Sequence, residues 1–209
     1  MQVFIITDIF GITGQLERYS KQLLTSGCRV QVIDPYQGGK QDFPDEQQAY
    51  QGFNHKCGFD AYVERIAAIL ANSEQEKTIL GFSVGATAAY KAADKLSHDG
   101  QNMTIRHLLG FYPGQIRHHL DICPGCPITL IFPRRERHFA LEPVIHRLAE
   151  KRHIRCIRTP FEHGFMNPLS VNYHRQAAQH YFQQLTGANL RLTAQALHNK
   201  LLPEQMIPA

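Results

Sequence analysis

Long apolar runs are missing from this sequence, and no stretch approaches the ~18 consecutive apolar residues of a membrane-spanning helix. The N-terminal segment also lacks a positively charged leader and carries Asp8 inside its apolar run, so it does not read as a signal peptide. There is no basic block and no aromatic-interleaved basic stripe; the formal net charge is only +4. Neither a membrane nor nucleic acid is therefore an expected partner. No internal repeat or linker divides the chain. Its 209 residues, 43% hydrophobic and 19% charged, suffice for one sizeable core. The chain reads as soluble and cytoplasmic.

An even cysteine count is lacking too. Five thiols (Cys28, Cys57, Cys123, Cys126, Cys156) without secretory signs favour a reduced state. Cys123-Pro-Gly-Cys126 forms a C-x-x-C with His118 and His119 just upstream, which raises zinc or redox use. It precedes a strand-like run rather than a helix, and a zinc ion would need further ligands from elsewhere. A Pro-Gly turn into a strand is the better reading, so no metal is expected.

Strand-like and helix-like runs alternate along the chain. Strands are expected at residues 3–7, 28–33, 78–82, 106–112, 128–132 and 155–159. Helices are expected at 15–24, around Tyr62, Ile66 and Ile69, at 85–97, through Val144, Ile145 and Leu148, at 173–185 and at about 189–202. Residues 37–56, rich in Gln and Gly, read as a polar loop. This order predicts a mostly parallel sheet with helices on both faces and a crevice at the C-terminal strand ends. Candidate pocket residues at those ends are Asp8, Phe10, Tyr36, Tyr112 and Phe165.

The stretch Gly81-Phe-Ser83-Val-Gly85 stands between an expected strand and an expected helix. G-x-S-x-G in that setting is a sharp turn that lifts the Ser hydroxyl, with glycines where the turning backbone would crowd a side chain. Serine is a weak nucleophile and needs a base. Among 12 histidines, His163 follows the last expected strand and precedes Gly164; His138 is its main competitor. The acid should follow the strand at 128–132, where Glu136 is the carboxylate of Pro133-Arg-Arg-Glu-Arg137, with Glu142 as the fallback. Backbone N–H groups for an oxyanion would come from Val84 and from the segment 8–11.

Five segments in this order resemble the dienelactone hydrolase family of α/β-hydrolases: Asp8-Ile-Phe-Gly11, Asp34-Pro-Tyr36, Gly81-Phe-Ser-Val-Gly85, Phe111-Tyr-Pro-Gly114 and His163-Gly-Phe165. The resemblance implies a single α/β-hydrolase domain over residues 1–209, with its core at about 1–186 and a C-terminal helix at about 189–202. It implies a nucleophile at Ser83, an acid at Glu136, a base at His163, and oxyanion donors at Ile9 and Val84. It implies no cofactor and a small-molecule ester or lactone substrate, in a monomer or homodimer. Three departures stand out. The name-giving enzymes use Cys and Asp where this chain has Ser83 and Glu136. They also bind a substrate carboxylate through an Arg where it has Asn167, so neutral esters are the expected substrates. The strands that precede the first family motif are not found, so the sheet should be reduced at its N-terminal side. Two functions fit: a serine hydrolase of small esters, lactones or thioesters, or a non-catalytic binding protein in which arginines occupy Glu136.

Overall fold

The computed structural model describes residues 1–98 and 104–203. Six strands form one all-parallel sheet in the order β2-β1-β3-β4-β5-β6. They are β1 (Gln2–Ile6), β2 (Arg29–Ile33), β3 (Lys77–Phe82), β4 (Ile105–Phe111), β5 (Ile128–Phe132) and β6 (Ile154–Arg158). The central strands β3 and β5 are buried at every residue, while the edge strand β2 alternates with solvent. Continuous burial follows from cover on both faces.

Successive side chains of each strand point to opposite faces, and two cores result. Phe4 and Ile6 of β1 enter the core beneath α2 (Glu46–Lys56), α3 (Phe59–Ala71), α4 (Val84–His98) and α5 (Leu141–Ala149). Val3 and Ile5 enter the other, beneath α1 (Gly14–Thr25), α6 (Arg175–Gln184) and α7 (Ala194–Lys200). Each fully buried Leu or Ile contributes roughly 1.5–3 kcal/mol. Tyr62 of α3 is fully buried, and the single proton of its hydroxyl is shared between the carbonyls of Thr7 (3.1 Å) and Ile33 (2.9 Å). That ties α3 to the chain just where β1 and β2 end, at the edge that carries the site.

Two expectations need correction. Residues 37–56 are not all loop, because they include α2. Asp45 caps this helix by accepting from the Gln48 amide at 2.7 Å, and Ala49 and Phe53, four residues apart, are its buried pair. With so few apolar residues, periodicity alone did not show it. The tail at 189–202 is not one helix. A 3-10 turn at Asn189–Arg191 ends at extended Leu192, and Thr193 then caps α7 by accepting from the Ala196 amide at 3.3 Å.

Candidate active site

The chain turns sharply between β3 and α4, where Ser83 has φ 51°. A left-handed non-glycine residue costs about 1–3 kcal/mol and persists only where its surroundings enforce it. Here the Ser83 amide donates to the Phe111 carbonyl (2.9 Å), and its carbonyl accepts from Ala86 (3.1 Å) and Thr87 (3.3 Å). The flanking glycines answer to close approach. A Cβ on Gly81 would sit 2.6 Å from the Ala86 Cα, and one on Gly85 would overlap the Thr7 carbonyl oxygen.

Ser83 Oγ lies 2.9 Å from His163 Nε2, and His163 Nδ1 lies 2.7 Å from Glu136 Oε1. The three groups come from the ends of β3, β6 and β5. The segments after β5 and β6 are tied together, which sets the second distance. The Arg134 amide donates to the Phe161 carbonyl at 2.5 Å, and the Thr159 amide and hydroxyl both donate to the Phe132 carbonyl at 3.0 Å. The arginines do not occupy Glu136: Arg135 pairs with Glu162 at 3.1 Å, and the ionisable partner of Glu136 is His163. Glu142 lies on α5, pairs with Arg158 and does not line the cleft. His138 is exposed at the rim of the same cleft.

A serine hydroxyl, an imidazole and a carboxyl in this relay can pass the hydroxyl proton to the ring while the acid steadies the imidazolium. The Ile9 and Val84 amides donate to no other protein group among the described residues. Both residues border the cleft beside Ser83.

The cleft has a volume of about 740 Å³. Asp8, Phe10 and Tyr112, each just after a strand, line it. Tyr112 leaves β4 at φ 41°, and its ring centroid lies 5.0 Å from that of His163. Three other expected pocket residues do not line it. The Tyr36 hydroxyl donates to the Ile9 carbonyl (2.5 Å) from behind the Ile9 segment. Phe165 is fully buried against Phe111 and Tyr181. Asn167 is buried, and its Nδ2 donates to Asp8 Oδ2 at 2.6 Å.

Burial pushes the Asp8 carboxyl up to about 6, against the hydrogen bonds from Asn167 and the Phe10 amide and the attraction of His163, and with a further push from Glu46. The wall contributed by α2 and the start of α3, with Glu46, Tyr50, Asn54 and Phe59, was not foreseen. The Asp45-x-x-Gln48 cap followed by Ala49 and Phe53 was the signal available for it.

The C-x-x-C segment lies away from this cleft, packed on α4. The Cys123 amide donates to Asp94 Oδ1 (3.0 Å) and the Gly125 amide to Ser97 Oγ (3.2 Å). Burial, aided by Cys123, pushes the Cys126 thiol up to about 12, which disfavours the thiolate that metal or redox chemistry requires.

A parallel sheet whose strand ends carry a strained serine turn and a histidine loop defines the α/β-hydrolase class. The profile of the dienelactone hydrolase family matches residues 1–188, so the chain belongs to that family and is a hydrolase acting on ester bonds. The uncharacterized protein YczH of Bacillus subtilis (strain 168) is 28% identical over 182 residues, 83% of this chain and 84% of that one. Solved structures share the fold at low identity. A dienelactone hydrolase-like promiscuous phosphotriesterase, P91, from metagenomic libraries matches at TM-score 0.58 and 11% identity, over 80% of this chain and 73% of its own. A lipase-esterase related protein of Clostridium acetobutylicum ATCC 824 matches at TM-score 0.55 and 11% identity, over 88% and 92%. Among the described residues no helix is long and apolar enough to cross a membrane.

Proposed function

We propose that this hydrolase cleaves small esters, lactones or thioesters through an acyl-enzyme on Ser83. The observation that carries the reading is the continuous relay from Ser83 Oγ through His163 to Glu136, at 2.9 and 2.7 Å. Ser83 Oγ attacks the carbonyl carbon as His163 Nε2 takes its proton, and Glu136 stabilises the imidazolium through Nδ1. The tetrahedral oxyanion is held by the Ile9 and Val84 amides, the second at the N-terminus of α4, where the helix dipole favours negative charge. His163 then gives its proton to the leaving oxygen or sulfur. Water activated by the same ring hydrolyses the acyl-enzyme and regenerates Ser83. No metal or organic cofactor takes part in this scheme.

The cleft suits a compact substrate with an apolar portion, since Phe10, Tyr50 and Phe59 line it. The lipase-esterase and phosphotriesterase relatives agree with attack at ester-type centres. Five unpaired thiols suit a reducing compartment, in keeping with a cytoplasmic setting.

The test is labelling with a fluorophosphonate probe, together with turnover of p-nitrophenyl acetate, in the wild type and Ser83→Ala at matched folded concentration. Labelling confined to the wild type, with activity lost from Ser83→Ala by several orders of magnitude, is the expected result. Residual activity near wild type would remove Ser83 from the mechanism.

A further inference from the structure

The loop that carries His163 is bridged by side chains to two other elements that line the cleft. One bridge is Asn167 Nδ2 to Asp8 Oδ2. The other reaches α2: the Ser170 hydroxyl donates to Glu46 Oε1 at 2.8 Å. Ser170 Oγ in turn accepts from the Asn172 amide at 3.3 Å, and Asn172 Nδ2 donates to the His163 carbonyl at 2.9 Å. A chain of three hydrogen bonds thus runs from the first residue of α2 to the backbone of the imidazole-bearing residue.

The close packing of this chain is visible at Gly164, which follows His163 directly. It has φ +85°, and a Cβ added there would overlap Ser170 Oγ and lie 2.9 Å from Ser170 Cβ. Ser170 is 6% exposed. A buried hydroxyl has few ways to move once both its donor and acceptor roles are taken. Glu46, by contrast, faces the cleft and lies in the first turn of α2, where an acidic side chain is favoured by the helix dipole.

We propose that Glu46 and Ser170 are positioning residues that latch the His163 loop to α2, so that the wall against which substrate binds also fixes the base; this rests on the Ser83–His163 reading above. A base must stay within about 0.5 Å of its productive position to serve the nucleophile, and a loop alone holds such a position poorly. Neither residue touches the reacting atoms. Their effect passes through the Asn172 link and the contact at Gly164.

The variants are Ser170→Ala, Glu46→Ala, the double variant, and Glu46→Gln, which keeps an oxygen able to accept from Ser170. Each is measured for p-nitrophenyl acetate kinetics, fluorophosphonate labelling rate and thermal midpoint. Ser170→Ala and Glu46→Ala are expected to lower kcat and the labelling rate about tenfold, with KM within twofold. The double variant should lose no more than the worse single variant, because the two act as one unit. Glu46→Gln should recover most of the rate. Should Ser170→Ala fail to fold, the Glu46 pair at the cleft surface carries the comparison.

Wild-type labelling rates in folded variants overturn the latch while leaving the hydrolase reading intact. A rise in KM at constant kcat also overturns it, since Glu46 would then be a substrate contact. Losses in the two singles that multiply in the double variant overturn the coupling. A wild-type enzyme that takes no fluorophosphonate overturns the Ser83 reading and the latch with it.

Discussion

His163 Nδ1 stands 2.7 Å from Glu136 Oε1, and the Glu136 side chain is 11% exposed against 33% for His163. Glu136 therefore meets the ring at the nitrogen away from Ser83, where it can orient the imidazole. Under the proposed mechanism, removing the ring should cost nearly as much as removing Ser83, because the members of such a relay act as a unit.

His163→Ala is thus expected to reduce kcat by several orders of magnitude and Glu136→Gln by less, with Glu142→Gln silent. Glu142 is spent on Arg158 at the surface. Kinetics of the three variants on p-nitrophenyl acetate decide the matter. A silent Glu136→Gln beside a damaging Glu142→Gln would reverse the acid assignment.

The meeting of Ser83, Glu136 and His163 in one candidate site was legible because position did the sorting. Ser83, Glu136 and His163 each follow a strand in a parallel sheet, and such ends meet along one edge whatever lies between them. Direction within a loop has no such periodicity. Tyr36, Phe165 and Asn167 are near the same edge, yet each turns behind the cleft to satisfy a buried partner or fill the core. The wall from α2 was hidden for a different reason. Eleven residues that bury only Ala49 and Phe53 leave too narrow an apolar stripe to stand out from a polar loop. The tail at 189–202 buries Leu190, Leu197 and Leu201, but the cap at Thr193 among them marks a break rather than a continuous helix.

Gly85 offers a test of the turn itself. Its missing Cβ is occupied by backbone, with the Ile6 carbonyl oxygen 2.9 Å away and the Thr7 carbonyl oxygen nearer still. Backbone of the central strand β1 cannot yield as a flexible side chain could. Gly85→Ala should therefore lower the unfolding free energy by roughly 3 kcal/mol or more, the upper range for overpacking. Urea denaturation is the measurement. A loss below about 1 kcal/mol would mean that α4 can slide away from β1 at little cost.

Asp8 makes stability depend on pH. Its carboxyl lies at about 6 in the folded protein against an ordinary 3.8, mainly through burial. Between those values the folded state holds a proton that the unfolded chain has released. The stabilisation is therefore complete below about pH 4 and is lost as pH rises through about 6, a change of at most about 3 kcal/mol. Asp8→Asn removes this titration. Urea unfolding from pH 4 to pH 8 should show the wild type losing stability relative to Asp8→Asn across that window. Parallel profiles would place the Asp8 titration elsewhere.

Substrate charge is the remaining question that the cleft can answer. Recognition of a carboxylate favours the two-pronged donor of Arg, which an amide does not replace. Asn167 is no substitute, because its Nδ2 is already given to Asp8, an acidic group that itself faces the cleft. Of the arginines after β5, Arg134 does not line the cleft, and Arg135 lines it but is paired with Glu162. Arg137 lines it and has no hydrogen-bond or ion-pair partner among the described residues, but it is exposed and hydrated. Arg117 also lines the cleft but is held by the Gly114 carbonyl (2.6 Å) and the Phe139 ring, so a neutral short-chain ester should be preferred over its carboxylated analogue of similar size. The check is kcat/KM for such a pair in the wild type, Asn167→Arg and Arg137→Gln. A wild-type preference for the carboxylated substrate of tenfold or more, about 1.4 kcal/mol in the transition state, would sink the expectation. If Arg137→Gln then erased that preference, Arg137 would be the anchor.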